Sequence, residues 1–278
     1  MKYPAAVITV LVSFLISACA SASVERSTLA PQTYHLDHNQ VLQIEVNTGN
    51  VQIIGTQQDS LEVRGSLTNE PALVYKVEQS STGLHILAQL PKRIFPLPAP
   101  DPIDLEIRIP AGYRVEFDTQ EANLIVKDFR GDLQVSSVAG NVQVDGLNGS
   151  AVLKANRGEV LLQNSQGKLN LLGNYGFLSM LAVHGQINAS TIMGSVSYNG
   201  MPQPGDTIHL ETDHGPVQII LIDQPNLLVD IHSTSGEVVC MFTALERNPR
   251  QCRGTLGAGG GRLDVRTVSG NIIFQPAP

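Results

Sequence analysis

Between Gly131 and Gly200 the chain repeats a nine-residue pattern of apolar and polar positions. Written in nines it reads GDLQVSSVA, GNVQVDGLN, GSAVLKANR, GEVLLQNSQ, GKLNLLGNY, GFLSMLAVH, GQINASTIM and a truncated GSVSYNG. The third position of each unit is Leu133, Val142, Ala151, Val160, Leu169, Leu178, Ile187 and Val196, with no polar member. The fifth is Val135, Val144, Leu153, Leu162, Leu171, Met180, Ala189 and Tyr198, also apolar. The fourth is mostly Gln, Asn or Ser, with Val152 and Leu161 as exceptions. Alternation at period two predicts one short, half-buried strand per unit with positions three and five facing inward. Glycine opens each unit where the backbone bends sharply or takes positive φ. One such unit cannot bury its own apolar side, so the pattern predicts a repeat architecture.

Two arrangements satisfy the pattern. In a β-solenoid, two nines form an 18-residue coil and equivalent strands stack about 4.8 Å apart. In an antiparallel meander, each nine reverses the chain. Tight hairpins prefer two-residue Asn-Gly or Asp-Gly turns; the turns here are longer and lack that signature, which favours the solenoid. The fold class expected is therefore all-β, a solenoid-like stack with looser β-repeats at both ends.

Those looser repeats are legible on either side. Upstream, VLQIEV (41–46), VQII (51–54), LEVRG (61–65) and LHILAQL (84–90) alternate, and DLEIRIPAGYRVEF (104–117) reads as two strands around Pro110-Ala111-Gly112. Downstream, strand–turn–strand units place their turn glycines at 215, 236 and 270. Five prolines fall within 91–102, which predicts a surface loop. The closing QPAP offers prolines as a cap for an edge strand. No stretch beyond the N-terminal segment has helical periodicity, and residues 34–278 read as one β-repeat domain.

Composition narrows the function. Hydrophobic residues make up 42% of 278 and charged residues 15%, enough for a sizeable core. The net charge of -7, without a run of Lys or Arg, argues against a nucleic-acid partner. Trp is absent, which weakens a reading built on stacking sugars against exposed rings.

The N-terminus has Lys2, an apolar run from Ala5 to Ile16, then small residues, the layout of an export signal and short for a membrane span. Ile16-Ser17-Ala18-Cys19 resembles the bacterial lipobox, in which cleavage before the cysteine leaves it as the acylated first residue. The alternative is an ordinary signal cut near Ala20 or Ala22. Residues 1–18 are thus expected as a lipoprotein signal peptide, 19–33 as a flexible tether, and Cys19 as the lipid anchor to a membrane of the cell envelope. The remaining cysteines, Cys240 and Cys252, are an even pair in an exported protein, which predicts a disulfide closing CMFTALERNPRQC.

Candidate chemistry is sparse. Polysaccharide-active enzymes on β-helices need carboxylates converging from adjacent coils. An 18-residue coil stacks Asp132 with Ser150, Lys168 and Gln186, and Glu159 with Asn141, Phe177 and Ser195, so no acidic ladder forms. The repeated Asp of calcium-binding nines is missing. His35-Leu36-Asp37-His38 and His209-Leu210-Glu211-Thr212-Asp213-His214 offer metal-ligand types, but on a strand they read more simply as a solvated face. No metal, cofactor or catalytic residue is expected; an enzyme, if there is one, would use Glu211 or Asp213.

The units VNTGNVQII, HSTSGEVVC and RTVSGNIIF, with the strand–Pro-x-Gly–strand of IRIPAGYRVEF, resemble a bacterial β-strand-repeat family of unknown function that carries the label "putative adhesin". The resemblance spans about 40–275. It implies the repeat architecture and binding at a cell surface to a protein or glycan ligand, and it transfers no binding residues.

Overall fold

The computed structural model describes residues 26–37, 39–69, 72–90, 103–223 and 225–278, and every regular element in them is a strand. The first are β1 (Arg26–Tyr34), β2 (Val41–Val46), β3 (Asn50–Thr56), β4 (Leu61–Thr68), β5 (Val74–Ser80), β6 (Gly83–Gln89), β7 (Ile103–Pro110), β8 (Tyr113–Thr119) and β9 (Asn123–Lys127). The nines supply β10 (Arg130–Ser137), β11 (Val142–Asp145), β12 (Asn148–Ala155), β13 (Glu159–Gln163), β14 (Gln166–Gly173), β15 (Phe177–Leu181), β16 (His184–Thr191) and β17 (Val196–Gly200). The chain ends with β18 (Thr207–Thr212), β19 (Val217–Leu221), β20 (Leu227–Ser233), β21 (Val238–Cys240), β22 (Glu246–Asn248), β23 (Gln251–Leu256), β24 (Gly261–Thr267) and β25 (Ile272–Pro276).

Successive nines fall in opposite sheets. In one sheet Leu133 pairs with Ala151, Ala151 with Leu169 and Leu169 with Ile187; in the other Val142 pairs with Val160, Val160 with Leu178 and Leu178 with Val196. Every step is 18 residues and every pairing is parallel, so the stack is a solenoid and not a meander. Positions three and five of all eight units are at most 3% exposed. They join one continuous core between the two sheets.

The repeated glycines sit where coils approach most closely. A Cβ on Gly176 would overlap the carbonyl oxygen of Gly158, one coil away, and a Cβ on Gly167 would overlap that of Gly149. The same relation recurs at both corners, because each coil turns twice. The rest of the repeated motif also bonds backbone. Buried hydroxyls of Ser137, Ser233 and Thr267 accept the N–H of the glycine three residues on (2.9, 2.9 and 2.8 Å). The asparagines after those glycines bond across coils, with Asn141 Oδ1 accepting the Glu159 N–H and Asn271 Oδ1 the Glu237 N–H, both at 2.9 Å.

At each end the chain departs from sequential stacking. The coil β2–β3 has β6–β7 on one side and β8–β9 on the other. At the far end β24–β25 lies between β18–β19 and β20–β21. Antiparallel strands close the stack: β5 along β6, β4 along β7 and β1 along β4 at one end, and β23 along β20 with β22 beyond it at the other.

Two expectations are corrected here. Residues 26–33, read as part of a tether, belong to β1, because Arg26–Tyr34 finds an open partner edge on β4. QPAP does not cap an edge: β25 is flanked by β19 and β21, and the edge falls instead to β21, three residues long. Residues 1–25 and the proline-rich 91–102 lie outside the described residues. The disulfide joins Cys240 of β21 to Cys252 of β23, so it staples one sheet to the other at this end, with Cα atoms 6.1 Å apart.

Two outcomes follow from this packing. Gly176→Ala should lower unfolding free energy by about 2–3 kcal/mol, whereas Gly260→Ala, whose added carbon would meet Pro204 Cβ at 3.3 Å, should change it much less in the same urea titration. Replacing both Cys240 and Cys252 by Ala should cost about 3 kcal/mol, and dithiothreitol should then cause no further loss.

Candidate binding groove

The two corners of each coil differ, and the difference builds a groove. At one corner stand the buried hydroxyls just described. At the other the chain reads Asp128-Phe129-Arg130-Gly131, Gly146-Leu147-Asn148-Gly149, Asn164-Ser165-Gln166-Gly167 and Ala182-Val183-His184-Gly185. The first residue of each set has positive φ: 52° at Asp128, 77° at Gly146, 49° at Asn164 and 52° at Ala182. This left-handed step turns the second residue inward, so Phe129, Leu147, Ser165 and Val183 are all buried. The third residue then turns outward at the first position of its strand. Arg130, Asn148, Gln166 and His184 consequently stand in register, one per coil.

That ladder lines a groove of about 1110 Å³. The turns at Gly55–Asp59 and Pro110–Ala111 from the N-terminal cap wall one end, and His184 marks the other. Asp37, Asp59 and Asp128 bring carboxylates to the lining. Tyr113 is anchored by its hydroxyl, which donates to the Leu36 carbonyl at 2.6 Å. Burial, with added repulsion from Asp37 and Asp59, holds its pKa above the usual phenol value, so it stays a neutral donor. Among the described residues the side chains of Arg130, Asn148 and Gln166 have no hydrogen-bond partner, leaving their donors and acceptors available to a ligand.

His184 is the most constrained member. Its Nδ1 lies 3.3 Å from Asp206 Oδ2, and that carboxylate also accepts the Gly185 and Gln203 N–H groups at 2.7 Å each. Asp206 is 6% exposed, so a buried acid fixes the ring and ties the 203–206 turn to the wall. Ser165, a coil away, is no nucleophile. Its hydroxyl donates to the Gln163 carbonyl at 2.7 Å and accepts the Leu147 N–H at 3.1 Å.

Of the described candidate ligands singled out in the sequence, Asp37 reaches the groove lining and the others lie elsewhere. His209 sits on the outer face of its sheet, 3.6 Å from both Glu211 and Asp264. Arg266 Nε is 2.9 Å from the same Asp264, so this is a solvated ion-pair face. Asp213 falls beyond the end of β18, and His214 Nδ1 is 2.8 Å from the Ser269 hydroxyl. Asp132 accepts from Ser150, as an 18-residue coil requires. His38 and Cys19 lie outside the described residues. Among the described residues no group of three or more His, Cys, Asp or Glu is arranged to hold a metal ion, and no helix is long and apolar enough to cross a membrane.

The opposite corner carries exposed apolar side chains, Val138, Tyr175, Phe177, Ile192 and Met193, each 48–61% accessible. Both surfaces left a trace in the ninth position of the units, where Asn148, Gln166 and His184 alternate with Ala139, Arg157, Tyr175 and Met193. The trace is a period of 18, hidden within the stronger period of nine.

The described chain is thus a parallel two-sheet solenoid, capped at both ends and bearing a polar groove along one corner. The profile of the Toastrack DUF4097 family matches residues 39–274, and the chain belongs to that family. Among solved structures, a "putative adhesin" from Parabacteroides distasonis shares the fold, with 9% identity, a TM-score of 0.52, and coverage of 91% of this chain and 97% of that one. Another "putative adhesin", from Bacteroides fragilis, is 14% identical over 92% of this chain and 98% of its own, with a TM-score of 0.37. No curated protein matches the sequence.

The groove floor yields one stability prediction. Ala182 holds the left-handed conformation that Asp, Gly and Asn occupy in the preceding coils. Ala182→Asn should therefore stabilise the fold by roughly 0.5–1 kcal/mol, read as a raised midpoint in urea at unchanged slope.

Proposed function

We propose that this protein is a non-enzymatic, adhesin-like binding module, tethered by a lipid on Cys19 to a membrane of the bacterial envelope. The single observation that carries the binding reading is the groove, in which Arg130, Asn148 and Gln166 recur coil by coil with side chains that have no partner among the described residues. Its members fit recognition better than catalysis: the serine hydroxyl is spent on backbone, and the carboxylate nearest the histidine is committed to two backbone amides. Glu211 and Asp213, the residues on which an enzyme was expected to rest, lie outside it. The similarity to structures named as adhesins agrees with this reading.

The anchor follows from the N-terminal sequence. Six residues separate Cys19 from Arg26, the first residue of β1. A fully extended link of that length reaches about 25 Å at most, so a lipid on Cys19 would hold the N-terminal cap close to the bilayer. Acyl chains contribute about 0.8 kcal/mol per buried methylene, and several chains together give lasting attachment.

Both halves can be tested on one preparation. Full-length protein should enter the detergent phase of a Triton X-114 separation, and Cys19→Ser should leave it in the aqueous phase. Proteoliposomes carrying the wild-type chain should sediment with bacterial envelope fragments, and the Arg130→Ala/Gln166→Ala variant should do so about tenfold less, with no soluble sugar released by either. Equal sedimentation of the variant would remove the groove from the reading; sugar release abolished by Glu211→Gln or Asp213→Asn would replace the module with an enzyme.

A further inference from the structure

The groove has a periodicity of its own, and a ligand that uses all of it must share that period. Arg130, Asn148, Gln166 and His184 occupy the same position on four consecutive, register-locked parallel strands. Neighbouring strands lie about 4.8 Å apart, so the four rungs span roughly 14 Å along the stack axis. An extended peptide presents alternate side chains to one surface about every 6.6 Å and falls out of step after one rung. A pyranose ring with its linking oxygen advances a sugar chain by nearly the rung spacing, so each rung can face one ring.

The chemistry of the rungs points the same way. Asn148 and Gln166 each offer a planar amide that donates and accepts at once, the pairing a sugar hydroxyl needs. Arg130 adds donors, His184 is held in orientation by Asp206, and Asp59 and Asp128 supply acceptors on the lining. Charge sets the class of sugar. Asp37, Asp59 and Asp128 outnumber Arg130 in the lining, and the chain carries a net charge of -7, so a polymer of uronate or phosphate would be repelled. We infer that the groove binds a neutral linear polysaccharide lying parallel to the solenoid axis, one pyranose unit per coil. This rests on the groove being the recognition surface proposed above and names what it recognises.

The test is isothermal titration of the full-length protein in detergent micelles with β-1,4-linked glucose, mannose and N-acetylglucosamine oligomers of one to six units. For at least one series, affinity should climb with each added unit up to four and stay level at five and six. Asn148→Ala and Gln166→Ala should each weaken binding of the tetramer about five- to tenfold. Asn170→Ala, on the outer face of the sheet, should leave it unchanged, and galacturonate oligomers of equal length should bind at least tenfold more weakly. Absence of saturable binding across all three series, affinity independent of length, or equal affinity for the galacturonates would each overturn the inference. The length dependence is measured on the wild-type chain, so a variant that fails to fold does not blunt it. Should every series fail while Arg130→Ala/Gln166→Ala still loses its hold on envelope fragments, the polysaccharide falls and the groove stands. Should that variant keep its hold, the groove itself falls.

Discussion

The structure depends on the approach of a glycine backbone to a carbonyl oxygen one coil away. At Gly158, Gly176 and Gly194 on one corner, and at Gly149, Gly167 and Gly185 on the other, a single added carbon would occupy the place of that oxygen. Stacking at strand spacing leaves no room to relieve the overlap, because every coil is hydrogen-bonded on both sides. The corners can therefore turn tightly only without side chains. Once they do, the apolar residues at positions three and five meet across a dry interior with no further instruction. The hydroxyls of Ser137, Ser233 and Thr267 and the amides of Asn141 and Asn271 supply partners for backbone groups that the turns would otherwise leave unpaired.

A stack of this kind has two open ends, and unpaired strand edges invite association with other chains. Here the ends are managed by topology. The first repeat, β2–β3, lies inside the N-terminal end and the last, β24–β25, lies one coil in from the other, so neither of these repeats forms an outer edge. Antiparallel strands form three of the four sheet edges among the described residues, and the disulfide between β21 and β23 ties the two sheets together at the fourth, where β21 is only three residues long. Folding must close these ends through contacts distant in sequence, since β24–β25 has to slot between coils that precede it in the chain.

Function resides in what the repeat does not need. Inward positions and glycines admit little variation, whereas the third residue of each left-handed corner is free to vary, and Arg, Asn, Gln and His occupy it in turn. The scaffold sets their spacing and the residues set their chemistry. Asp206 supports this arrangement from behind, holding His184 and the end of the groove through three contacts from one buried carboxylate.

The repeat, its strand positions and the identity of its inward residues were legible in the chain because burial alternates at period two and a misplaced polar residue would have shown. The pairing of Cys240 with Cys252 was legible as well, once the lipobox-like context set Cys19 apart and left an even pair. The two kinds of corner were not. Val138 and Ser165 stand two residues before their glycines, yet the valine is 49% exposed and the serine 1%. The left-handed step at Asn164 turns Ser165 inward, and its bonds to Gln163 and Leu147 satisfy the buried hydroxyl. The order of the end coils was hidden for a related reason: β20–β21 and β24–β25 carry the same strand–turn–strand pattern, so local sequence cannot say which lies inside. β1 escaped notice because its residues are largely exposed and gain a partner only when β4 presents an edge. Local patterning therefore determined the coil, while the order of coils, the caps and the groove were decided by contacts between segments far apart in the chain, which no local period records.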